Sequence, residues 1–437
     1  MRKKIFFIAA VLLIAAVFSL WRLFLKHPAR PNIVLVVIDT LRADHLPFYG
    51  YPKETAPFLS ELAARGVVFE KAYAASSWTS PATASIFTSL YPFQHGVTMG
   101  LLVQKRLIDK DSSIKINRIP EELTTLPEVF HINGYRTFGI SDNYNISKNQ
   151  GFTQGFDRFL CFSHTGGRFI NEQIRWMKKK ILTGEKYFLY VHYNDPHLPY
   201  KIPLEEGEKS GNRLTDMKAI YDKEISHVDH CIKELYEKFG WSQNTLLIIT
   251  ADHGEEMNEK GRYGHGKSLL NTVIRVPLLF YYPHGGLFGG KRLRANVSTM
   301  DILPTLISFL NFPRTKGLSG QDLMPEVKRA AESSRDRFIF SHLQVKRGSR
   351  NDILQKACLY RDHKYIYKFP ERHLLYNLKE DPGERRNRFD DGRETARMLA
   401  ARLFAFEKDS PRYSAAYVDI ELDNKSLEQL RTLGYVD

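Results

Sequence analysis

Two kinds of apolar pattern alternate along the chain. Unbroken runs occur at Ile33–Ile38, Tyr187–Tyr193, Thr245–Ala251 and Val276–Tyr282. Short runs without polar alternation predict strands buried on both faces, as in a sheet covered by helices. Between them, Met217, Ile220, Tyr221, Ile225, Val228, Ile232, Leu235 and Tyr236 recur at steps of one, three and four. That spacing predicts one apolar face of a long helix, read as core packing. Buried strands alternating with amphipathic helices predict an α/β sheet with helices on its faces. From about residue 335 the runs shorten to strand candidates at Phe338–Ser341 and Ala357–Tyr360, and a charged helix candidate follows at Arg393–Phe406. A small C-terminal α+β domain is expected there.

The first apolar run is of another kind. Ile5–Trp21 carries no charge and follows Arg2, Lys3 and Lys4. Its length suits a bilayer crossing with slight compression. A cleaved signal peptide is the competing reading, but bulky residues (Val17, Phe18, Leu20, Trp21) occupy the exit where small ones mark a cleavage site. The expectation is a signal anchor over 1–26, a single-pass membrane protein with its body on the periplasmic or extracellular side. Arg22, Lys26 and Arg30 on the far flank weaken that orientation. Pro28 and Pro31 make the following linker a stiff spacer.

Composition narrows the class. With 437 residues, 43% of them hydrophobic, the chain can bury a large core. Its domains are expected at 31–330 and 335–437. A formal charge of +14 and a pI near 9.4 favour acidic partners. Neither zinc-finger spacing nor a short aromatic-basic reading segment occurs, so nucleic acid is not expected among them. Cys161, Cys231 and Cys358 are too few and scattered for a disulfide framework or a structural zinc site, and read as small buried apolar residues.

Candidate chemistry gathers where strands end. Asp39 follows the first buried run; Asp252 and His253 follow the third, with Gly254 permitting a tight turn. In open α/β sheets this is the edge where ligands collect. Two carboxylates with one imidazole suit zinc or manganese better than calcium, although such residues also serve as ordinary helix caps. A hydroxyl candidate lies in Trp78-Thr79-Ser80-Pro81. Pro81 suits the first turn of a helix, placing Thr79 at an N-terminus where free backbone N–H groups attract an anion. A simple Thr or Ser N-cap is the alternative.

Taken in order, these segments resemble the sulfatases of the alkaline-phosphatase superfamily. The likeness rests on Asp39-Thr40-Leu41-Arg42-Ala43-Asp44, Thr79-Ser80-Pro81, Tyr91-Pro92-Phe93-Gln94-His95-Gly96-Val97, Gly134-Tyr135-Arg136-Thr137, Gly155-Phe156-Asp157 and Asp195-Pro196-His197-Leu198-Pro199-Tyr200. It continues through Asp252-His253-Gly254-Glu255, Gly264-His265-Gly266, Arg275-Val276-Pro277-Leu278 and the closing Leu375-Tyr376-Asn377-Leu378-Lys379-Glu380-Asp381-Pro382-Gly383-Glu384. The resemblance implies a large mixed-sheet sandwich with helices on both faces. It further implies one divalent metal held by Asp39, Thr79, Asp252 and His253, Thr79 as nucleophile, and His197 and His265 on the substrate side. Lys267 and Asn143 are candidate contacts to the ester. A second metal would have only Asp195, His197 and His265 to draw on, and a single ion, zinc or manganese, is expected.

Departures from the family pattern direct the chemistry. Thr79 stands where sulfatases carry the Cys or Ser converted to formylglycine, and Thr83 where they carry Arg. Ser141-Asp142-Asn143-Tyr144 replaces their Lys and His, Thr40 a second metal-binding Asp, and His253 an Asn. A threonine nucleophile with this ligand set is similar to the superfamily's phosphotransferases and phosphodiesterases. The leading expectation is therefore hydrolysis or transfer of phosphate-type esters on an anionic envelope lipid or glycan. Sulfuric ester hydrolysis without formylglycine is the alternative within enzymes; a catalytically silent module binding an acidic glycan is the alternative outside them.

Overall fold

The computed structural model describes residues 30–101, 104, 116–283, 289–329, 336–345, 353–370, 372–413 and 416–418. The run Ile5–Trp21 lies outside them. Among the described residues no helix is long and apolar enough to cross a membrane.

A nine-stranded mixed sheet organises the chain. Its strands are β1 (Asn32–Ile38), β2 (Val67–Tyr73), β3 (Arg136–Ser141), β4 (Arg158–Cys161), β5 (Tyr187–Tyr193), β6 (Thr245–Thr250), β7 (Arg275–Val276), β8 (Leu278–Tyr281) and β9 (Lys291–Ser298). They lie in the order β7-β2-β8-β6-β1-β5-β3-β4, with β9 along the other edge of β2. β6, β1, β5, β3 and β4 run parallel, whereas β8 is antiparallel to β6 and β2. The expected run Val276–Tyr282 is divided between β7 and β8 because Pro277, which has no N–H to give a ladder, separates them.

The central apolar runs follow from burial on both faces. Ile33, Leu35 and Val37 pack with residues of α2 (Thr79–Thr88), α3 (Leu126–Ile132) and α6 (Ile302–Phe309). The alternate set Val34, Val36 and Ile38 packs with α1 (Pro57–Arg65), α4 (Gly167–Ile181) and α5 (Arg213–Phe239). Successive strand residues point to opposite faces, so a strand between two helical layers must be apolar throughout. The long helix expected over residues 217–236 is α5. Its stripe supplies Tyr221, Ile225, Val228, Ile232 and Leu235 to the core, and Asn212 caps its start by accepting from the Leu214 and Thr215 amides.

A second, antiparallel sheet follows: β10 (Ile339–Val345), β11 (Ile353–Tyr360), β12 (His363–Lys368) and β13 (Arg372–Asn377). α7 (Arg393–Asp409) packs on one face through Ala396, Leu399 and Leu403. The other face shares a cluster with Tyr73, Trp78, Leu269 and Val273 of the main body. Cys161, Cys231 and Cys358 are all free thiols, the last two buried.

Candidate active site

The carboxyl ends of β1, β3, β5 and β6 lie side by side, and each delivers a polar group into one buried space. Asp39 follows β1. The next residue, Thr40, takes a left-handed φ of 58°, an unusual state for a β-branched residue. Tyr221 holds that turn: its hydroxyl donates to the Thr40 carbonyl at 2.7 Å and accepts from the Arg42 amide at 2.9 Å. Backbone strain of this kind persists where its surroundings over-determine it, commonly at functional sites.

Asp252 and His253 follow β6. Asp252 Oδ1 accepts from the His253 amide at 2.9 Å, and His253 Nδ1 donates to the Gly254 carbonyl at 2.9 Å. That bond sets the tautomer, leaving the His253 Nε2 lone pair free for a ligand. Gly254 is required for close approach rather than for a special φ: a Cβ there would lie 2.2 Å from the Thr272 carbonyl oxygen. Thr79 is the first residue of α2 and is buried with the whole of that helix. Its Oγ1 lies 3.2 Å from His253 Nε2.

The four residues expected to share a metal therefore converge. Asp39 Oδ1 and Asp252 Oδ2 are buried oxygens without a hydrogen-bond partner, and they stand 3.6 and 3.5 Å from His253 Nε2. Orphaned carboxylate oxygens beside an imidazole lone pair and a hydroxyl are costly unless a cation joins them. Burial, reinforced by the Asp39 charge, pushes the Asp252 carboxyl well above its usual range. Burial opposes ionisation of Asp39 too, but the hydrogen bond from His192 and the charges of neighbouring imidazoles hold its pKa below the usual value. Burial pushes His253 down to about 3, so its ring is neutral, as a ligand must be. By this test the donor set fits a divalent ion.

Sequence reading missed His192. It lies in β5, within a run read only for its apolar character, and its Nε2 is 3.3 Å from Asp39 Oδ2. Ligand atoms of Asp39, His192 and Asp252 all lie within 4.8 Å of one another. Tyr190 orients this imidazole through a 2.7 Å contact at Nδ1. A histidine inside an otherwise apolar strand was the available signal.

The remaining expected residues are placed as follows. Asn143 reaches the site, but its amide donates to Asp39 Oδ2 at 2.6 Å and to Asn194 Oδ1 at 3.2 Å, so it orients a carboxylate rather than facing an ester. His197 and His265 pack with ring centroids 4.9 Å apart, and His265 lies 4.5 Å from the His253 ring. His265 Nδ1 contacts Glu255 Oε1 at 3.1 Å. Burial disfavours charge on His265, yet the Glu255 carboxylate, with Asp39 further off, outweighs it and raises the pKa; His197 is lowered, chiefly by burial. Lys267 is exposed and donates to the Tyr263 carbonyl at 2.7 Å. Asp195 turns away to accept from the Gly167 amide at the start of α4, at 2.8 Å. His164, not anticipated, extends the imidazole row 5.3 Å beyond His197 and carries a φ of 50°.

Comparison with known proteins agrees with this architecture. The Sulfatase family model matches residues 31–312. The uncharacterized sulfatase YidJ of Escherichia coli K12 is 22% identical, with 83% of this chain and 84% of that protein covered. Human arylsulfatase A is 25% identical, with 82% of this chain and 83% of that protein covered. Among solved structures, the phosphonate monoester hydrolase of Agrobacterium radiobacter superposes with a TM-score of 0.68 at 18% identity, covering 87% of this chain and 96% of its own. From the extent of the family match, the chain belongs to the sulfatase family and is an ester hydrolase of that family.

Proposed function

We propose that the chain cleaves or transfers phosphate-type esters of an envelope lipid or glycan, with Thr79 as nucleophile. The observation that carries this reading is the meeting of Thr79 Oγ1, His253 Nε2 and the orphaned oxygens of Asp39 and Asp252 at one helix N-terminus. Asp39, Asp252, His253 and Thr79 would hold one zinc or manganese ion, with His192 and Asn143 fixing the orientation of Asp39. Such an ion, when bound, lowers the pKa of a hydroxyl and neutralises charge on ester oxygens.

The residues divide the work. The N-terminus of α2 presents backbone N–H groups to the ester's anionic oxygens. Thr79 Oγ1, its proton lost to solvent beforehand, forms the new bond to phosphorus as the bond to the leaving oxygen breaks. His265, whose pKa the Glu255 carboxylate raises against the opposing effect of burial, donates its proton to that oxygen. Water, or an acceptor alcohol, then attacks the Thr79 ester and returns a proton to His265, freeing Thr79.

Sulfuric ester hydrolysis through the same threonine is the second reading, favoured by the sulfatases among the relatives, such as arylsulfatase A. One experiment tests both. Turnover of phosphorus-33-labelled and sulfur-35-labelled esters is acid-quenched and label bound to Thr79 is sought by peptide mapping. Phosphorus label on Thr79 is the expected result; sulfur label alone favours the second reading. If neither label is retained and Thr79→Ala leaves turnover and metal content unchanged, Thr79 is not the nucleophile.

A further inference from the structure

Residues 30–32 enter β1 at the edge of the sheet opposite the candidate active site. The parallel register brings the starts of β5, β3 and β4 beside this entry, pairing Ile33 with Phe188, Arg136 with Tyr187 and Phe138 with Arg158. Large apolar side chains are exposed along the same edge. Ile132, 77% exposed, ends α3 just before β3; Leu182, 42% exposed, follows α4 just before β5. Trp176 of α4 is 65% exposed, with the Arg158 guanidinium 5.0 Å and Lys180 Nζ 5.6 Å from its ring centroid.

The segment that carries Trp176 and Leu182 is rich in base. Residues 173–186 contain five basic residues, Arg175, Lys178, Lys179, Lys180 and Lys186, against the single acid Glu185. Exposed aromatic and aliphatic groups ringed by lysines are the composition of surfaces that lie at lipid head groups: the ring sits in the interface and the ammonium groups meet anionic lipid.

Chain length supplies the second constraint. Eight residues, 22–29, separate Trp21, the end of the apolar run, from Arg30. Fully extended, the nine Cα-to-Cα steps between them reach about 30 Å. A chain anchored through Ile5–Trp21 therefore keeps this edge near the bilayer.

We propose that the strand-start edge formed by Ile132, Trp176, Leu182 and Lys178–Lys180 docks on an anionic bilayer surface beside the anchor. The proposal rests on the anchor reading of residues 1–26. In this pose the seven residues of β1, at about 3.3 Å each, hold the catalytic edge about 23 Å further from the membrane. The ester it takes is then soluble or borne on a chain extending from the membrane, such as a glycan. The head group of a short lipid in the same leaflet does not reach.

The test uses the full chain reconstituted in phosphatidylcholine vesicles with or without phosphatidylglycerol, with brominated lipid as a quencher of tryptophan fluorescence. In anionic vesicles the wild type is expected to show quenching beyond that of Trp21 in the anchor, an excess that Trp176→Phe removes and that K178E/K179E/K180E abolishes while soluble-ester turnover is unchanged. Equal quenching of wild type and Trp176→Phe in anionic vesicles overturns the docking. Flotation separates the two readings. A chain that fails to float with neutral vesicles lacks the anchor; if it still floats with anionic ones and the triple variant does not, docking stands without the anchor. Failure to float with either overturns both.

Discussion

Thr79 contacts His253 whereas Asn143 contacts Asp39, which makes their variants separable. Thr79→Ala removes the oxygen proposed as nucleophile and metal donor, and is expected to lower kcat by about 10³-fold or more while the circular dichroism spectrum stays unchanged. Thr79→Ser restores the oxygen and is expected to recover part of that loss. Asn143→Ala leaves all four expected donors in place but strips a 2.6 Å hydrogen bond from Asp39 Oδ2. Loss of such an orienting partner typically weakens metal binding about 10–100-fold. Metal-buffered titration of zinc or manganese measures it: an Asn143→Ala affinity equal to wild type would show that His192 alone orients Asp39.

At the scale of the element, α2 depends on how its two ends are fastened. Its start faces His253; its end is tied by His95, whose Nε2 lies 3.0 Å from Ser85 Oγ and whose Nδ1 accepts from the Val97 amide at 3.1 Å. An Nδ1 that accepts must be unprotonated, and burial lowers the His95 pKa from its ordinary 6.5 to about 3. The folded state thus favours neutral His95, a contribution complete above pH 6.5 and lost as pH falls toward about 3. The loss runs at ~1.4 kcal/mol per pH unit at most. Urea unfolding between pH 7 and 4 should show this slope in wild type and a shallower one in His95→Gln. The turn after β6 has a separate requirement. Gly254→Ala would force a Cβ to within 2.2 Å of the Thr272 carbonyl, and an overpacked contact of this kind costs about 1–3 kcal/mol. Denaturant titration measures that loss, and the displaced Asp252-His253 pair should lower activity beyond it.

Across the whole molecule, the second sheet is locked to the segment that follows His265. Lys364 of β12 is fully buried, with Nζ 2.5 Å from Glu384 Oε1, 2.8 Å from Asn271 Oδ1 and 3.1 Å from the Leu269 carbonyl. Glu384 Oε2 also accepts from the Asn271 amide at 2.6 Å. Removing one member of a buried pair strands the other charge, at a cost of about 3–5 kcal/mol. Lys364→Met is expected to fall in that range, with Glu384→Gln in the same background returning part of it, as read by equilibrium unfolding. Lys364 was not singled out in the sequence because a strand lysine reads as solvent-facing; only the apposition of the two sheets buries it. The docking edge has the same character, since Ile132, Trp176 and Leu182 are scattered in sequence and come together through strand register.

Local physics was enough for much of this chain. A strand covered by helices on both sides is apolar at every position, so β1, β5 and β6 were legible from residues 33–38, 187–193 and 245–251, and α5 from its 3.6-residue stripe. Strand-end placement together with family resemblance brought out Asp39, Thr79, Asp252 and His253. β2, β3, β4 and β9 went unread, as in Val67–Tyr73, where the half-buried Glu70 and Lys71 interrupt the apolar pattern. The roles of individual side chains were decided in three dimensions. His192 joined Asp39 because β1 and β5 pair in register, and Asn143 became a positioning group because its donors meet Asp39 before any ligand. Hydrophobic periodicity is written along the chain and survives any arrangement of its neighbours. A hydrogen-bond partner, an orphaned oxygen or a shared face is a relation between distant segments, and exists only once the sheet has set their register.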